Sequence, residues 1–513
     1  MAGIDALREI PPLADDYWLL TTAPTESIRF LLTEYGAAAR PLGVVVLGVL
    51  AWVVQVTDIP VPVLVGLWRV LTLGLTYAVM RKALKLDTPT ALVALTFFLL
   101  IPPASEAWTL LCTAHQALSA PFALAACALF AWAMHGSRRT QALVLAAATQ
   151  LLTYALYEQA LLMIPAFAVM CAYFATRRRA LTRQVVMATG VSIAVALAWM
   201  VAMLWTGYAQ RRAGAASDGS AIEPSDVIGA AVSLWVAFGK QFVWRFAEFV
   251  GTRDWMPWDT TAVGVIAALS AALLVISIGV FVARVAKVHR REPASAILGP
   301  PEHSPLTYLV AAYASLLPIG FAYPGFASFS RMYYLPGLAL AVALALLVVR
   351  LSRVAPHWGG VVTALTVAWL LLTWRDYLSD VRLGARMLRG IAEMTVEIPA
   401  SSWGEGVLVV APAVVGTFSS AAVQSFTVRP AAKWLTGREP AGPLYFTTDC
   451  VREGETEVIR DERNGGTHAR TWGTVIVASG TDFSISRTVS EACSAAALRR
   501  SHSRTSLREN QTS

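Results

Sequence analysis

The sequence has little charge for its length. Charged residues make up 14% of the 513 residues, while 56% are hydrophobic. A chain with so few charges is not an ordinary soluble protein, and this composition predicts an α-helical polytopic membrane protein. The formal net charge of +8 does not indicate nucleic acid binding, because Lys and Arg cluster in short loops between apolar runs.

Several catalytic motifs are also missing. The sequence contains no GxxxxGK[ST] phosphate loop, no CxxC pair, no HExxH helix and no GxSxG elbow. A P-loop transporter, a metalloprotease and a serine hydrolase therefore have no motif support. Residues 1–40 contain no apolar segment of the kind found in a cleavable signal peptide.

Cysteine is scarce, with five residues in the whole chain. Cys112, Cys127 and Cys171 lie in or beside apolar runs, where reduced core thiols are the usual state. Cys450 and Cys493 lie in a polar C-terminal region and can pair only if that region is exported.

Long apolar runs are abundant, and a membrane span needs roughly 20 such residues. About eleven candidates follow from this pattern. They are residues 42–56, 59–80, 88–102, 115–135, 142–156, 160–175, 185–208, 261–283, 307–323, 332–349 and 361–374.

The positive charges predict the orientation of these spans. Basic loops around Arg81 to Lys85, and at 138–139, 177–183, 284–291 and 350–353, are expected in the cytoplasm. Loops nearly free of Lys and Arg, at 104–114, 157–159 and 324–330, are expected outside. On this map 208–261 is a large outer loop.

The run 42–56 leaves the sidedness of residues 1–40 open. With about 15 residues it is short for a span and also suits a helix in the membrane interface. If it crosses the membrane, Asp15 and Asp16 lie inside; if it lies in the interface, they lie outside.

The C-terminal part has a different pattern. Residues 375–394 indicate an amphipathic helix, and β-rich runs follow at 406–411, 443–448 and 474–478. We expect a small extracytoplasmic α/β domain over 376–497, followed by a disordered tail over 498–513.

Ionisable residues collect near the predicted outer ends of the spans. Taken singly, each is more often a solvated, capping or hydrogen-bonded core residue. Together they predict pairing or a wet cavity, because burying them unpaired would cost several kcal/mol each. A carboxylate there can act as general base or hold a cation, and an arginine can hold phosphate oxygens. The residues are Glu106, His115, Glu158 and Arg331, and Asp15 and Asp16 join them if the run 42–56 lies in the interface.

Five short motifs follow one another in a recognisable order. They are Asp15-Asp16, Arg40-Pro41-Leu42, Pro102-Pro103 with Glu106, Tyr157-Glu158 with Pro165, and Arg331-x-x-Tyr334-x-Pro336. In this order the chain resembles the GT-C superfamily of membrane glycosyltransferases, particularly the branch of protein O-mannosyltransferases. The resemblance covers roughly residues 14–349.

The resemblance implies a GT-C-like transmembrane domain over 41–375, with about 10 or 11 spans. It implies an enzyme of the cell inner (plasma) membrane that moves a sugar from a polyprenyl-phosphate donor to a glycan, lipid or protein acceptor outside. Asp15, Asp16 and Glu106 would be catalytic, and Asp15 and Asp16 could also bind a divalent metal ion. The substrate-binding residues would be Arg40, His115, Glu158, Arg331 and Tyr334. The family's span before the acidic loop has no counterpart here, which implies a start codon placed too late or an N-terminus exported without that span.

Two other classes remain open at this point. A transporter or flippase of lipid-linked saccharides would use the same outer cavity as a translocation site. It should also need polar residues at mid-membrane depth, whereas Arg69 is the main charged residue within the predicted spans. The third class is a non-catalytic membrane scaffold whose outer C-terminal domain binds partners.

Overall fold

The computed structural model of the chain is mostly helical. The structure describes residues 15–22, 40–57, 59–100, 111–135, 139–177, 182–205, 303–317, 334–354, 356–402, 407–410 and 425–442. It also describes the short segments 444–447, 452–453, 456–460, 467–469, 474–479 and 482–486. The predicted outer loop 208–261, the predicted span 261–283, Cys450, Cys493 and the tail 498–513 lie outside these ranges.

Twelve helices are described, and we number them in chain order. They are α1 (Asp15–Thr22), α2 (Pro41–Thr57), α3 (Val61–Lys82), α4 (Thr88–Leu100), α5 (Ala114–His135), α6 (Arg139–Leu156), α7 (Met163–Arg177), α8 (Arg183–Trp205), α9 (Pro305–Ala314), α10 (Tyr334–Val354), α11 (Pro356–Glu397) and α12 (Ser425–Thr436). A 3₁₀ turn, Glu158–Leu161, joins α6 to α7.

The central helix of the bundle is α5. Alanines occupy much of its length and are buried on all sides, at positions such as Ala117, Ala120, Ala123 and Ala126. Small side chains let neighbouring helices approach closely, and α5 packs against α3, α6, α7 and α8. Helix α10 completes the same apolar core by packing against α4 and α9.

Four helical stretches in the described part of the chain are long and apolar enough to cross a membrane. They are Val61–Lys82, Ala114–His135, Glu158–Arg177 and Arg183–Met203. Four further predicted runs form shorter apolar helices, namely Pro41–Thr57, Thr88–Leu100, Pro305–Ala314 and Tyr334–Arg350. Cys112, Cys127 and Cys171 are buried thiols that form no disulfide, as predicted.

Helix α2 does not cross the bundle. Near its start, Gly43 lies against Leu156 at the end of α6 and against His115 at the start of α5. Near its other end, Val54 belongs to the apolar cluster that also contains Val61, Leu111 and Ala114. Both ends of α2 therefore stay at the end of the bundle where α5 begins, which supports the interfacial alternative for the run 42–56.

The opposite end of the bundle carries basic residues. In the turn between α3 and α4, the Leu84 carbonyl accepts a hydrogen bond from His303 Nε2 at 2.7 Å. Arg350 in turn donates to the His303 carbonyl at 2.7 Å, and Arg81 donates to the Leu86 carbonyl. These contacts bring parts of three predicted cytoplasmic loops together.

Helix α11 is a single helix of 42 residues, where the sequence pattern indicated a span at 361–374 and a separate amphipathic helix at 375–394. No proline interrupts residues 357–398, so nothing forces the backbone to change direction when the composition becomes polar. The helix ends at Glu397, two residues before Pro399.

Seven strands follow in the C-terminal part. They are β1 (Val407–Val410), β2 (Leu444–Thr447), β3 (Arg452–Glu453), β4 (Thr456–Arg460), β5 (Thr467–Ala469), β6 (Thr474–Ser479) and β7 (Asp482–Ser486). One sheet has the order β2-β1-β6-β7, in which β1 is parallel to β2 and β6 while β7 is antiparallel to β6. Strands β1, β2 and β6 fall in the three β-rich runs of the sequence. The second sheet, β3-β4-β5, is antiparallel.

A separate apolar cluster joins these strands to two helices and to α1; we call it the C-terminal cluster. Its fully buried members include Tyr17 from α1, Leu388 and Ile391 from α11, Val428 from α12 and Ile476 from β6. Helix α1 therefore packs on the C-terminal part of the chain as well as on the bundle.

Candidate functional site

The polar residues of the site meet around the start of α5. Three neighbouring residues there, Cys112, Thr113 and His115, each take a polar partner from a different part of the chain. Because the partners lie 96, 44 and 75 residues away in sequence, only the packing of the helices brings them together.

Arg40, His115 and Glu158 form the first half of the site. Arg40 Nη2 lies 3.4 Å from Glu158 Oε1, and Arg40 Nη1 lies 3.1 Å from His115 Nε2. A guanidinium can only donate, so Nε2 must accept and the imidazole in this contact is neutral. All three side chains are buried, with Glu158 only 3% exposed. A buried ion pair of this kind is held by mutual attraction that offsets a large desolvation cost.

The position of His115 depends on the absence of a side chain at Gly43. A Cβ atom added there would lie 2.8 Å from the Leu156 carbonyl oxygen and 3.1 Å from His115 Cδ2. The imidazole also meets the Tyr157 ring edge-on, with 5.7 Å between the ring centroids. The histidine ring therefore contacts both α2 and the α6–α7 connection.

Asp16 and Arg69 form the second half of the site. Asp16 Oδ1 accepts a hydrogen bond of 2.7 Å from the backbone N–H of Cys112. Arg69 Nη2 donates to Thr113 Oγ1 at 3.0 Å, and the neighbouring Trp68 indole donates to the Ala114 carbonyl at 2.9 Å. Asp16 and Arg69 are 1% and 5% exposed, so both charges are removed from solvent.

The described part of the site combines two carboxylates, two guanidinium groups and an imidazole. Arg40 pairs directly with Glu158, and Asp16 is within electrostatic reach of Arg69. A balanced set of charges can be buried at much lower cost than isolated ones. A carboxylate here can also accept a proton from a hydroxyl, and a guanidinium can hold phosphate oxygens.

Four of the predicted site residues, Asp16, Arg40, His115 and Glu158, lie in this arrangement. Tyr334 is buried at the start of α10, where it packs on Phe98 and lies within electrostatic reach of Arg69. Asp15 begins α1, but its side chain lies outside the described residues, as do Glu106 and Arg331.

Arg69 is a site residue that the sequence motifs missed. The signal was present, because an arginine inside an apolar span is costly and usually has a specific partner. Its partners Thr113 and Asp16 could not be read from a spacing in the sequence.

The resemblance left a metal ion at Asp15 and Asp16 open. Among the described residues, no three His, Cys, Asp or Glu side chains lie close enough together to hold a metal ion. Asp16 contacts a backbone amide through Oδ1, and the side chain of Asp15 lies outside the described residues.

The residue next to Asp16 connects the site to the C-terminal cluster. Tyr17 is completely buried there, and burial raises the pKa of its phenol while the charge of Arg389 lowers it. Arg389 lies on α11 and forms an ion pair of 2.8 Å with Glu393 one turn later.

Comparison of the chain with models of protein families, with curated proteins and with solved structures found no match. The resemblance to GT-C glycosyltransferases therefore stays a prediction from the sequence motifs.

Proposed function

We propose that the chain is a multi-pass inner-membrane glycosyltransferase of GT-C type. In this proposal it moves a sugar from a polyprenyl-phosphate donor to a cell-envelope glycan, lipid or protein acceptor. The observation that carries it is the meeting of Asp16, Arg40, His115 and Glu158 at one end of the bundle. Asp16, Arg40 and Glu158 come from three separate sequence motifs, and His115 lies at the start of a predicted span.

The distribution of charge supports an extracytoplasmic site. The site lies where α5 begins, whereas Arg81 in the last turn of α3 and Lys85 in the turn after it lie at the opposite end. Because basic loops favour the cytoplasm, the site and the C-terminal α/β domain that packs on α1 would face outside. Helix α2 would then lie in the outer interface with its apolar side in lipid, since Val45, Val49 and Trp52 are exposed.

The chemistry follows from the residues at hand. A carboxylate, Asp15, Asp16 or Glu106, accepts the proton of the acceptor hydroxyl, whose oxygen attacks the anomeric carbon of the donor. The bond from that carbon to the phosphate oxygen breaks, and polyprenyl phosphate leaves with the electron pair. Arginines at the site, Arg40 with Arg331, would hold the phosphate oxygens and stabilise this charge. The Cys112 amide keeps the Asp16 carboxylate oriented.

The position of Arg69 favours a transferase over a flippase. Arg69 lies eight residues into α3, about 12 Å along the helix axis. It nevertheless bonds to Thr113, which precedes α5, so it belongs to the same end of the bundle as the other charges. A translocation pathway should have polar groups deeper in the membrane.

The test is sugar transfer in membranes that contain the full chain. Membranes are supplied with polyprenyl-phosphate mannose, and with the glucose and arabinose counterparts, and labelled product is measured. We expect Asp16→Asn, Asp15→Asn or Glu106→Gln to reduce transfer at least 100-fold, on the order of a lost general base. The control is Glu439→Gln, because Glu439 is half-exposed on the surface beside Lys433. Undiminished transfer in all three site variants would refute the proposal.

A further inference from the structure

Helix α1 is placed between two parts of the molecule. Its Leu19 and Leu20 belong to the apolar cluster of α2 and α3, while Tyr17 belongs to the C-terminal cluster. Successive residues of a helix point about 100° apart, so neighbouring positions can face different partners. Asp16 thus faces Cys112 in the bundle while the next residue faces α12.

On the bundle side, α1 makes polar as well as apolar contacts. Asp16 makes its bond to the Cys112 amide, and Gln55 of α2 donates to the Leu20 carbonyl at 2.9 Å. Helix α1 has only eight residues, and a helix this short is not stable alone. Its shape and position must therefore come from tertiary contacts. Tyr17 is the largest of the described side chains of α1 and is completely buried.

We propose that Tyr17 is a positioning residue for the site: by anchoring α1 in the C-terminal cluster, it holds the Asp16 carboxylate against the Cys112 amide. The C-terminal part of the chain thereby controls the geometry of the segment that leads into α5. This inference rests on the proposed function for its catalytic consequence, but its structural part can be tested without any activity.

The phenol ring carries this role and its hydroxyl does not. Among the described residues, the Tyr17 hydroxyl is buried without a hydrogen-bond partner. Removing it in Tyr17→Phe keeps the ring in the C-terminal cluster and breaks no hydrogen bond to the part of the chain that the structure describes. Tyr17→Ala removes the ring and leaves a cavity among Leu388, Ile391 and Val428.

The experiment measures how fast the Cys112 thiol reacts with a maleimide in the folded, full-length protein in detergent. Labelling is resolved by peptide mass spectrometry, so the other cysteines need not be replaced. Cys112 is 3% exposed and Cys127, further along α5, is completely buried, so Cys127 reports unfolding. The reference for a released segment is Asp16→Ala, which removes the acceptor of the Cys112 N–H.

We expect Tyr17→Ala to raise Cys112 labelling at least tenfold, as Asp16→Ala does, while Cys127 stays protected and Tyr17→Phe matches the original protein. Slow Cys112 labelling in Tyr17→Ala, or fast labelling in Tyr17→Phe, would overturn the proposal. If Tyr17→Ala also exposes Cys127, the milder Val428→Ala on α12 decides the question, and it should raise Cys112 labelling alone.

The activity measurement separates the two proposals. If transfer is detected, Tyr17→Ala and Val428→Ala should lower kcat and change KM by a smaller factor. Tyr17→Phe should keep the kcat of the original protein. If Asp16→Asn leaves transfer intact while the labelling results hold, the proposed function fails and the positioning of Asp16 by Tyr17 stands.

Discussion

At the scale of single residues, the site depends on close packing around buried charges. His115 accepts a hydrogen bond from Arg40, which also pairs with Glu158. Gly43 is the residue that lets α2 approach this group, because any side chain there would meet a backbone carbonyl. Two substitutions test these contacts separately.

Gly43→Ala should destabilise the protein by about 1–3 kcal/mol, since the added methyl group forces α2 away from Leu156 and His115. The measurement is the free energy of unfolding in detergent. Gly66→Ala is the matched control: it adds the same methyl group to helix α3, where nothing lies within 4 Å. The control should be neutral or stabilising by up to about 1 kcal/mol. Equal effects of the two substitutions would contradict the close approach at Gly43.

Glu158→Gln should cost about 3–5 kcal/mol of unfolding free energy, because it leaves the Arg40 guanidinium buried without its counter-charge. The double variant Arg40→Met with Glu158→Met should cost less unfolding free energy than the sum of the single variants Arg40→Met and Glu158→Met. The double-mutant cycle is measured by denaturant unfolding in detergent. Strictly additive losses would mean that the 3.4 Å contact makes no energetic contribution.

At the scale of elements, α2 and α12 expose surfaces of different character. Helix α2 buries one face on the bundle and exposes an apolar stripe of Leu42, Val45, Val49, Trp52 and Val56. In the last turn of α12, Lys433 forms an exposed ion pair of 2.7 Å with Glu439, which follows the helix. The apolar stripe of α2 indicates contact with lipid, and the ion pair at α12 indicates a surface in contact with water.

The Lys433–Glu439 contact gives a pH prediction. The hydrogen bond and charge of Lys433 hold the pKa of Glu439 below its ordinary value. A carboxyl with a lowered folded pKa adds stability above its unfolded pKa, about 4.3, and loses it as the pH falls through the folded value. Lys433→Met should therefore lower stability by less than about 1 kcal/mol at pH 7, since the pair is exposed, and by nothing at strongly acidic pH. Melting curves of both proteins from pH 7 downward measure this; a difference that persists in acid would argue against the ion pair.

At the scale of the whole molecule, the position of α2 determines which parts of the chain lie at the same end of the helix bundle. Because α2 starts and ends at one end of the bundle, the acidic helix α1, the residue Thr57 and the C-terminal cluster belong to that end. The turn after α3, with the exposed Lys85, belongs to the other.

Cysteine labelling in intact cells tests this arrangement. Thr57→Cys and Arg438→Cys occupy exposed positions and should react with an impermeant maleimide from outside. Lys85→Cys should react only after lysis, because it lies at the basic end. The labelled residue is identified in each case by peptide mass spectrometry, with the buried Cys127 as the negative control. Labelling of Thr57→Cys and Lys85→Cys from the same side would contradict the reading of α2.

The sequence alone was sufficient for features that depend on local pattern. Apolar length and helical period predict the helices of the bundle, and the β-rich runs contain β1, β2 and β6, because secondary structure follows residues close in the chain. The polar motifs also pointed to Asp16, Arg40 and Glu158, and the position of His115 at the start of a predicted span pointed to that residue.

Only the tertiary structure decided which residues meet. It placed α2 at one end of the bundle, joined the two predicted segments of α11 into one helix, and assigned Arg69 to Thr113. It also made Tyr17, beside the acidic residue, a member of the C-terminal cluster. The physical reason is that partners of buried charges are chosen by burial and packing across tens of residues, which no local spacing encodes.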